Sequence, residues 1–328
     1  MRKLFPGYYT PKKEDFKKMW SDGIFILDTN VLLDLYRYSE ETVRELFKVI
    51  NLIKDRIWIP YQVSKEYHKN LNIVISGQVK KYTDSIETLK QFKSQIDEKR
   101  NHPFLKLEFQ EEIASFCAKI HAELENRKRD IKSLILNNPI KEQLADLLDN
   151  RIGECFSQQD LTRIYAEGES RYHSDIPPGY KDKGKSIPDR YGDLVFWNEV
   201  LNKNKEIDTP IILVTGDTKE DWYYEELGLT IGPRPELIDE FNKVKSNLFH
   251  IYPTNLFLKY ASQYLQTEIN DKSINEVDEY IKQGRDIEQS QSISVDNSSE
   301  NSTNFVYINS TSSSNETNFK EAEETNAP

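Results

Sequence analysis

Four carboxylates stand where this chain could do chemistry: Asp28, Glu66, Asp193 and Asp217. Asp28 closes the apolar run Gly23-Ile24-Phe25-Ile26-Leu27, and Asp217 follows the run Pro210-Ile211-Ile212-Leu213-Val214 through Thr215 and Gly216. Both runs read as buried strands that deliver an acid at the carboxyl end, where open α/β sheets gather ligands and metals. A single Asp at such a place is equally a helix cap, so the argument rests on the set. Glu66 lies in a helix after a second strand, and Asp193 opens a later helix. Acids gathered at one sheet end cannot all stay ionised unless a cation neutralises them. Hard divalent ions, Mg²⁺ or Mn²⁺, favour all-oxygen ligands, and two of them can activate a water and steady both oxygens of a phosphodiester under attack. No histidine or cysteine cluster offers zinc an alternative; His68 and His173 read as surface or satisfied side chains.

The elements that must position these acids alternate strand and helix at both ends of the chain. From the N-terminus to about residue 70 the order is β-α-β-α: the Asp28 strand, a helix whose Ser39-Glu40-Glu41-Thr42 start resembles an N-cap, the strand Arg56-Ile57-Trp58-Ile59-Pro60, and a helix from Tyr61 to Asn70. Residues 71–170 carry almost no strand signal. Ile86, Leu89, Phe92 and Ile96 recur at helical spacing, a break falls at Asn101-His102-Pro103, and Phe109, Ile113, Phe116, Ile120 and Leu124 begin a second helix. This predicts a helical hairpin inserted into the α/β domain. Its basic residues (Lys80, Lys81, Lys90, Lys93, Lys99, Arg100, Arg127, Lys128, Arg129, Lys132) read either as solvated helix faces or as a track for a phosphate backbone. Residues 171–268 return to α/β. They give a helix over Tyr191–Asn202, the Pro210–Val214 strand, a helix over Glu220–Leu227, a helix over Glu236–Lys245, a short strand Leu248–Tyr252, and a closing helix over Leu256–Gln266. The expected class is α/β with a central parallel sheet and a large inserted helical lobe beside the cleft.

Residues 269–328 read as linker and tail. Beyond 289 the chain is rich in Ser, Asn and Thr, and Asp296, Glu300, Glu316, Glu321, Glu323 and Glu324 face one Lys320. Such a segment cannot bury enough apolar surface to offset its ordering entropy and is expected to be disordered. Phe305-Val306-Tyr307-Ile308 is a short apolar island within it, a docking motif or nothing.

The 328 residues carry a net charge of -11 and are 37% hydrophobic, with a mean hydropathy of -0.72. This suits one or two soluble domains and argues against a protein that coats nucleic acid non-specifically. No run reaches the roughly 20 apolar residues of a membrane span, and the N-terminal Met1-Arg2-Lys3-Leu4-Phe5-Pro6 lacks a signal-peptide core. Cys117 and Cys155 form no CxxC pattern and are expected to be unpaired in a reducing cytoplasm.

The segments Ile26-Leu27-Asp28-Thr29-Asn30-Val31-Leu32, Pro60-Tyr61-Gln62-Val63-Ser64-Lys65-Glu66, Tyr191-Gly192-Asp193-Leu194-Val195-Phe196-Trp197 and Val214-Thr215-Gly216-Asp217 resemble, in order, the four acidic motifs of PIN-domain nucleases. Pro177-Pro178-Gly179-Tyr180-Lys181-Asp182, Lys219-Glu220-Asp221-Trp222 and Pro233-Arg234-Pro235-Glu236-Leu237 are similar to a bacterial PIN-like subfamily with a long helical insertion. The likeness covers residues 15–265. It implies a Rossmann-like sheet and a metal-dependent endonuclease, usually acting on RNA. Asp28, Glu66, Asp193 and Asp217 would be its metal-site acids, with Asn30 and Thr215 orienting the first and fourth. Asp28 and Asp217, from adjacent central strands, would hold the main metal, and Glu66 and Asp193 would complete the site.

Asp182 and Asp189 lie in turns that favour Asp for local hydrogen bonding, so metal contact and turn chemistry both stand; Asp221 is either a support for Asp217 or a helix-surface acid. Lys181, Lys185, Arg190, Lys219 and Arg234 flank the acids as a rim for substrate phosphates, or as ordinary salt-bridge partners. A haloacid-dehalogenase-type phosphatase would need an acid where Asn30 stands, and no GxxxxGK[ST] phosphate loop occurs. Beside the nuclease stands a catalytically silent PIN-like module that binds RNA or protein. RNA is favoured over DNA, and a protein partner or a second copy of the chain stays open.

Overall fold

Two strands of the central sheet, Ile24–Leu27 and Ile211–Thr215, are four or five residues of nearly pure Ile, Leu, Val and Phe, which leaves polar chemistry to the residues at and just beyond their ends. The structure, a computed structural model, describes residues 1–2, 4–98, 100, 105–227 and 229–286. Met1–Ile281 form one compact unit; of the second, Lys282–Pro328, the described residues 282–286 are helical.

The order is α1 (Lys13–Asp22), β1 (Ile24–Leu27), α2 (Thr29–Asp34), α3 (Glu40–Ile53), α4 (Tyr61–Asp97), α5 (Leu107–Ser133), α6 (Pro139–Leu148), α7 (Gln158–His173), α8 (Gly192–Glu206), β2 (Ile211–Thr215), β3 (Tyr223–Glu226), β4 (Leu229–Pro233), α9 (Pro235–Val244), β5 (Phe249–Pro253) and α10 (Thr254–Tyr264). Strands β1, β2 and β5 form a parallel sheet in the order β1-β2-β5, with Leu27 opposite Val214 and Thr215 opposite Pro253. Being parallel, they place their carboxyl ends on one edge, so Asp28 and the turn after Thr215 emerge side by side. β2 is buried at every residue, as a strand covered on both faces must be.

Several expectations are corrected. The strand expected over Arg56–Pro60 shortens to isolated parallel bridges, Phe25 with Ile57 and Ile59 with Ile152, because Pro60 ends the ladder and α4 starts at once. The helix expected to start over Tyr61–Asn70 runs on into the insertion: α4 is 37 residues long, its interior holding no proline. α5 packs back along α4 and returns to the core, where Ile131 and Leu134 meet it, so the hairpin is as expected. The break at Asn101-His102-Pro103 and Lys99 lie outside the described residues. The helix expected over Glu220–Leu227 is a turn followed by the antiparallel hairpin β3-β4; the pair Tyr223-Tyr224 favours a strand. The stretch from 269, read as linker, folds back: residues 271–281 are helical, and Val277 and Ile281 join the core. The acidic tail and the Phe305–Ile308 island lie outside the described residues.

Candidate active site

Asp28 caps α2, and every bond that holds it is neutral. Its Oδ1 accepts from the Thr29 amide at 2.6 Å; its Oδ2 accepts from Asn30 Nδ2 at 2.8 Å and from the Thr215 hydroxyl at 2.7 Å. The same two side chains bind the facing loop. Asn30 Oδ1 accepts from the Gly216 amide at 2.6 Å, and Thr215 Oγ1 accepts from the Asp217 amide at 2.9 Å. Asn30 and Thr215 thus stitch the ends of β1 and β2 and connect Asp28 to the loop of Asp217. Burial, together with the fields of Glu66 and Asp217, outweighs the Thr215 and Thr29 hydrogen bonds and pushes Asp28 up to about 7.

Glu66 reaches the cluster from the second turn of α4. Gln62, one turn earlier, donates to its Oε1 at 2.6 Å, and the Thr29 hydroxyl approaches Oε2 at 3.4 Å. Burial raises its pKa. The carboxylate abuts the start of α8 so closely that a Cβ on Gly192 would stand 2.6 Å from Oε1; no larger residue fits there unless Glu66 moves. Asp193 follows Gly192. Its Oδ2 is buried with no hydrogen-bond partner; burial, then Asp217 and Asp182, hold its pKa well above the carboxylate range.

Asp217 is held by the Lys219 amide at 2.9 Å and the Lys219 ammonium at 3.1 Å. All four sequence-predicted acids therefore converge at the sheet's carboxyl edge, and Asp182 and Asp221 join them. Asp221 is not on a helix surface. It is fully buried, its Oδ2 accepts from the amides of Gly179 at 3.1 Å and Lys181 at 3.2 Å, and its Oδ1 is unpartnered. It shapes the turn that carries Asp182, and burial, with Asp217 beside it, pushes it up to about 6. Asp189 stays at the margin, exposed and paired with Lys69 at 2.6 Å.

Four of the five basic residues expected at the rim each face an acid: Lys181 with Glu220 at 2.5 Å, Lys185 with Asp182 at 2.6 Å, Arg190 with Glu169 at 3.6 Å and Arg234 with Glu236 at 2.8 Å. Lys219 is not on the rim at all; it stands among the acids.

Sequence reasoning missed three supports. Glu199, buried on α8, accepts from the Gln62 amide at 3.0 Å and so caps the first turn of α4 from another element; burial pushes it up to about 7. The signal was negative: α4 opens at Pro60 without a Ser, Thr, Asp or Asn cap of its own. Gly179 holds a left-handed φ of 87°, and a Cβ there would stand 2.9 Å from that of Asp193. Asp34, buried one turn past Asn30 and paired with Arg37 at 2.5 Å, lies behind Gly216.

Among the described residues no group of three or more His, Cys, Asp or Glu side chains forms a ready-made metal site. The donor chemistry nonetheless suits a hard cation: the donors are carboxylate oxygens, two of them buried without a partner (Asp193 Oδ2, Asp221 Oδ1), and burial discourages several from ionising alone. A family model described as a PIN-like domain matches residues 24–237, from the first residue of β1 into α9. No curated protein and no solved structure matches the chain.

Proposed function

Because this chain belongs to the PIN-like domain family, whose members are generally nucleases that bind nucleic acid, we propose that it is a metal-dependent endonuclease that hydrolyses phosphodiester bonds, with single-stranded RNA the favoured substrate. The observation that carries this reading is the convergence of Asp28, Glu66, Asp193 and Asp217 at one sheet edge, with Asp28 held by neutral donors and Asp193 carrying an unpartnered buried oxygen. We assign these four as the residues that hold Mg²⁺ or Mn²⁺. Bound there, the ion supplies charge to stabilise the transition state and a more acidic water.

The chain's own residues do the rest. Asn30 and Thr215 orient Asp28 and Asp217; Gln62 and Glu199 fix the start of α4 and with it Glu66; Asp221 holds the turn that brings Asp182 to the cluster. Single-stranded RNA is preferred because RNA reading works mostly on splayed, unpaired segments, and the likeness to PIN-domain nucleases leans the same way. A reducing cytoplasm is the setting we infer from the two free cysteines.

The second reading, a silent RNA- or protein-binding module, draws on Lys219, whose ammonium already sits on Asp217 and Asp182. Incubation with single-stranded RNA, single-stranded DNA and duplexes, each with Mn²⁺ or EDTA, separates the two. Cleavage of RNA that needs Mn²⁺ and is lost in Asp28→Asn, Glu66→Gln, Asp193→Asn and Asp217→Asn supports the nuclease. Metal-independent cutting, or none with any substrate, overturns it.

A further inference from the structure

Lys219 occupies a place that a phosphate-gripping rim residue would not. Its Nζ is 3.1 Å from Asp217 Oδ2 and 3.4 Å from Asp182 Oδ1, while its own amide donates to the other oxygen of Asp217 at 2.9 Å. Lys185 takes the second oxygen of Asp182 at 2.6 Å. One positive charge thus serves at least two acids, and it leaves Asp193 Oδ2 and Asp221 Oδ1 nearby without partners.

An ammonium is a compact point charge on a flexible four-carbon stem. A hard divalent ion carries twice its charge and draws oxygens to about 2.0–2.1 Å for Mg²⁺, closer than any contact Lys219 makes. The two cations would repel each other at the same acids. The Lys219 side chain keeps a quarter of its surface exposed, at 25%, and therefore has an outward path.

Resting on the nuclease reading, we infer that Lys219 is the site's own exchangeable counter-cation: it pins Asp217 to Asp182 in the metal-free protein and withdraws from them when a divalent ion binds. Once withdrawn, its ammonium is free to meet a substrate phosphate, so loading the metal and exposing a phosphate contact become one event.

The test uses the full chain and Mn²⁺ alone. Calorimetric titration should show Lys219→Met binding Mn²⁺ about tenfold more tightly than the wild type, the expected result of removing a competing charge, and Lys219→Arg binding it close to the wild-type affinity. In EDTA, Lys219→Met should melt at a lower temperature than the wild type and recover more on Mn²⁺ addition. A readout in the unaltered protein guards against a variant that fails to fold: reductive methylation of Lys219, followed by mass spectrometry, should rise several-fold with Mn²⁺, while that of exposed Lys80 does not change. If the wild type binds Mn²⁺ but Lys219→Met binds it no more tightly, or Lys219 labelling ignores the ion, this inference falls and the nuclease reading stands. If the wild type takes up no Mn²⁺, the metal reading falls and takes this inference with it.

Discussion

Replacing Asp28 by Asn should destabilise the metal-free protein in acid and stabilise it at alkaline pH, and the change of sign can be worked from the structure. Asp28 titrates at about 7 when folded against an ordinary 3.8. Folding therefore favours its protonated form. The stability this group contributes is fully present below 3.8 and is lost as pH rises through about 7. A rise of about three units at 1.36 kcal/mol each is worth about 4 kcal/mol, lost mostly between pH 4 and pH 7. An asparagine does not titrate and escapes that loss, but it has its own cost. Its carbonyl can still accept from the Thr29 amide, yet its NH₂ must then face Asn30 Nδ2 and the Thr215 hydroxyl, which donate to Asp28 Oδ2 at 2.8 and 2.7 Å. Thr215 can turn to accept; Asn30 Nδ2 cannot, and an opposed donor costs about 1–3 kcal/mol.

About 1 kcal/mol of the wild type's contribution is already lost at pH 4.5 and nearly all of it at pH 8, so the balance is a loss of up to about 2 kcal/mol at pH 4.5 and a gain of about 1–3 kcal/mol at pH 8, both in EDTA. Urea unfolding of both proteins at half-unit steps of pH measures it directly, since the midpoint shifts while the slope should not. Adding Mn²⁺ at about 100 times its dissociation constant should stabilise the wild type by about 2.7 kcal/mol and the variant by much less. A difference between the two proteins that stays constant from pH 4.5 to pH 8 would refute the reasoning, because Asp28 would then carry no burden of ionisation.

Three further outcomes are expected. Glu199→Ala removes the cap on the Gln62 amide and should cost about 1–2 kcal/mol, with cleavage reduced through Glu66; Glu199→Gln keeps an acceptor and should stay near wild type in melting temperature and turnover. Gly179→Ala places a Cβ at a φ of 87° and 2.9 Å from that of Asp193, so urea midpoints should report a loss of about 2–4 kcal/mol and cleavage should fall in step with the displaced acid. Asn30→Ala frees the Asp28 oxygen and leaves the Gly216 amide without its 2.6 Å acceptor; a loss of about 1–3 kcal/mol in melting experiments should accompany a drop in cleavage that Asn30→Asp does not restore, since a carboxylate cannot donate to Asp28.

What the sequence makes legible is whatever one segment decides alone. β1 and β2 are apolar runs ended by a polar residue, so their existence, their parallel neighbours and the emergence of Asp28 and Asp217 on one edge follow from composition and chain order. The two-residue offsets that place Asn30 and Thr215 beside them are equally local. Where a residue's role depends on a partner far along the chain, the signal disappears. Glu199 looks like any helix acid until α8 is laid across the start of α4. Asp221 looks like a surface carboxylate until the hairpin Tyr223–Pro233 replaces the expected helix and turns it inward, onto the amides of Gly179 and Lys181. Val277 and Ile281 sit in a segment too polar to announce a core element, and only the groove they fill reveals it. Lys219, four residues ahead of the hairpin, reads on sequence grounds as a rim residue or an ordinary salt-bridge partner, and only its distances to Asp217 and Asp182 place it among the acids.

The division of donors around the site carries the electrostatic argument further. Cations are not scarce nearby, but they are bound elsewhere: Lys181 to Glu220, Arg190 to Glu169, Arg234 to Glu236 and Lys69 to Asp189. Asp28 and Glu66 are instead held by amides and hydroxyls from Thr29, Asn30, Thr215 and Gln62. Neutral donors fix the direction of a carboxylate without cancelling its charge; burial raises both acids, and these hydrogen bonds only moderate the rise. A cluster built only for stability would pair them with Arg or Lys, or replace them with apolar residues at little cost. Orientation without neutralisation is the arrangement that suits an ion arriving from solution, and it predicts that the stability cost of these acids and their affinity for Mn²⁺ rise and fall together across the variants named above.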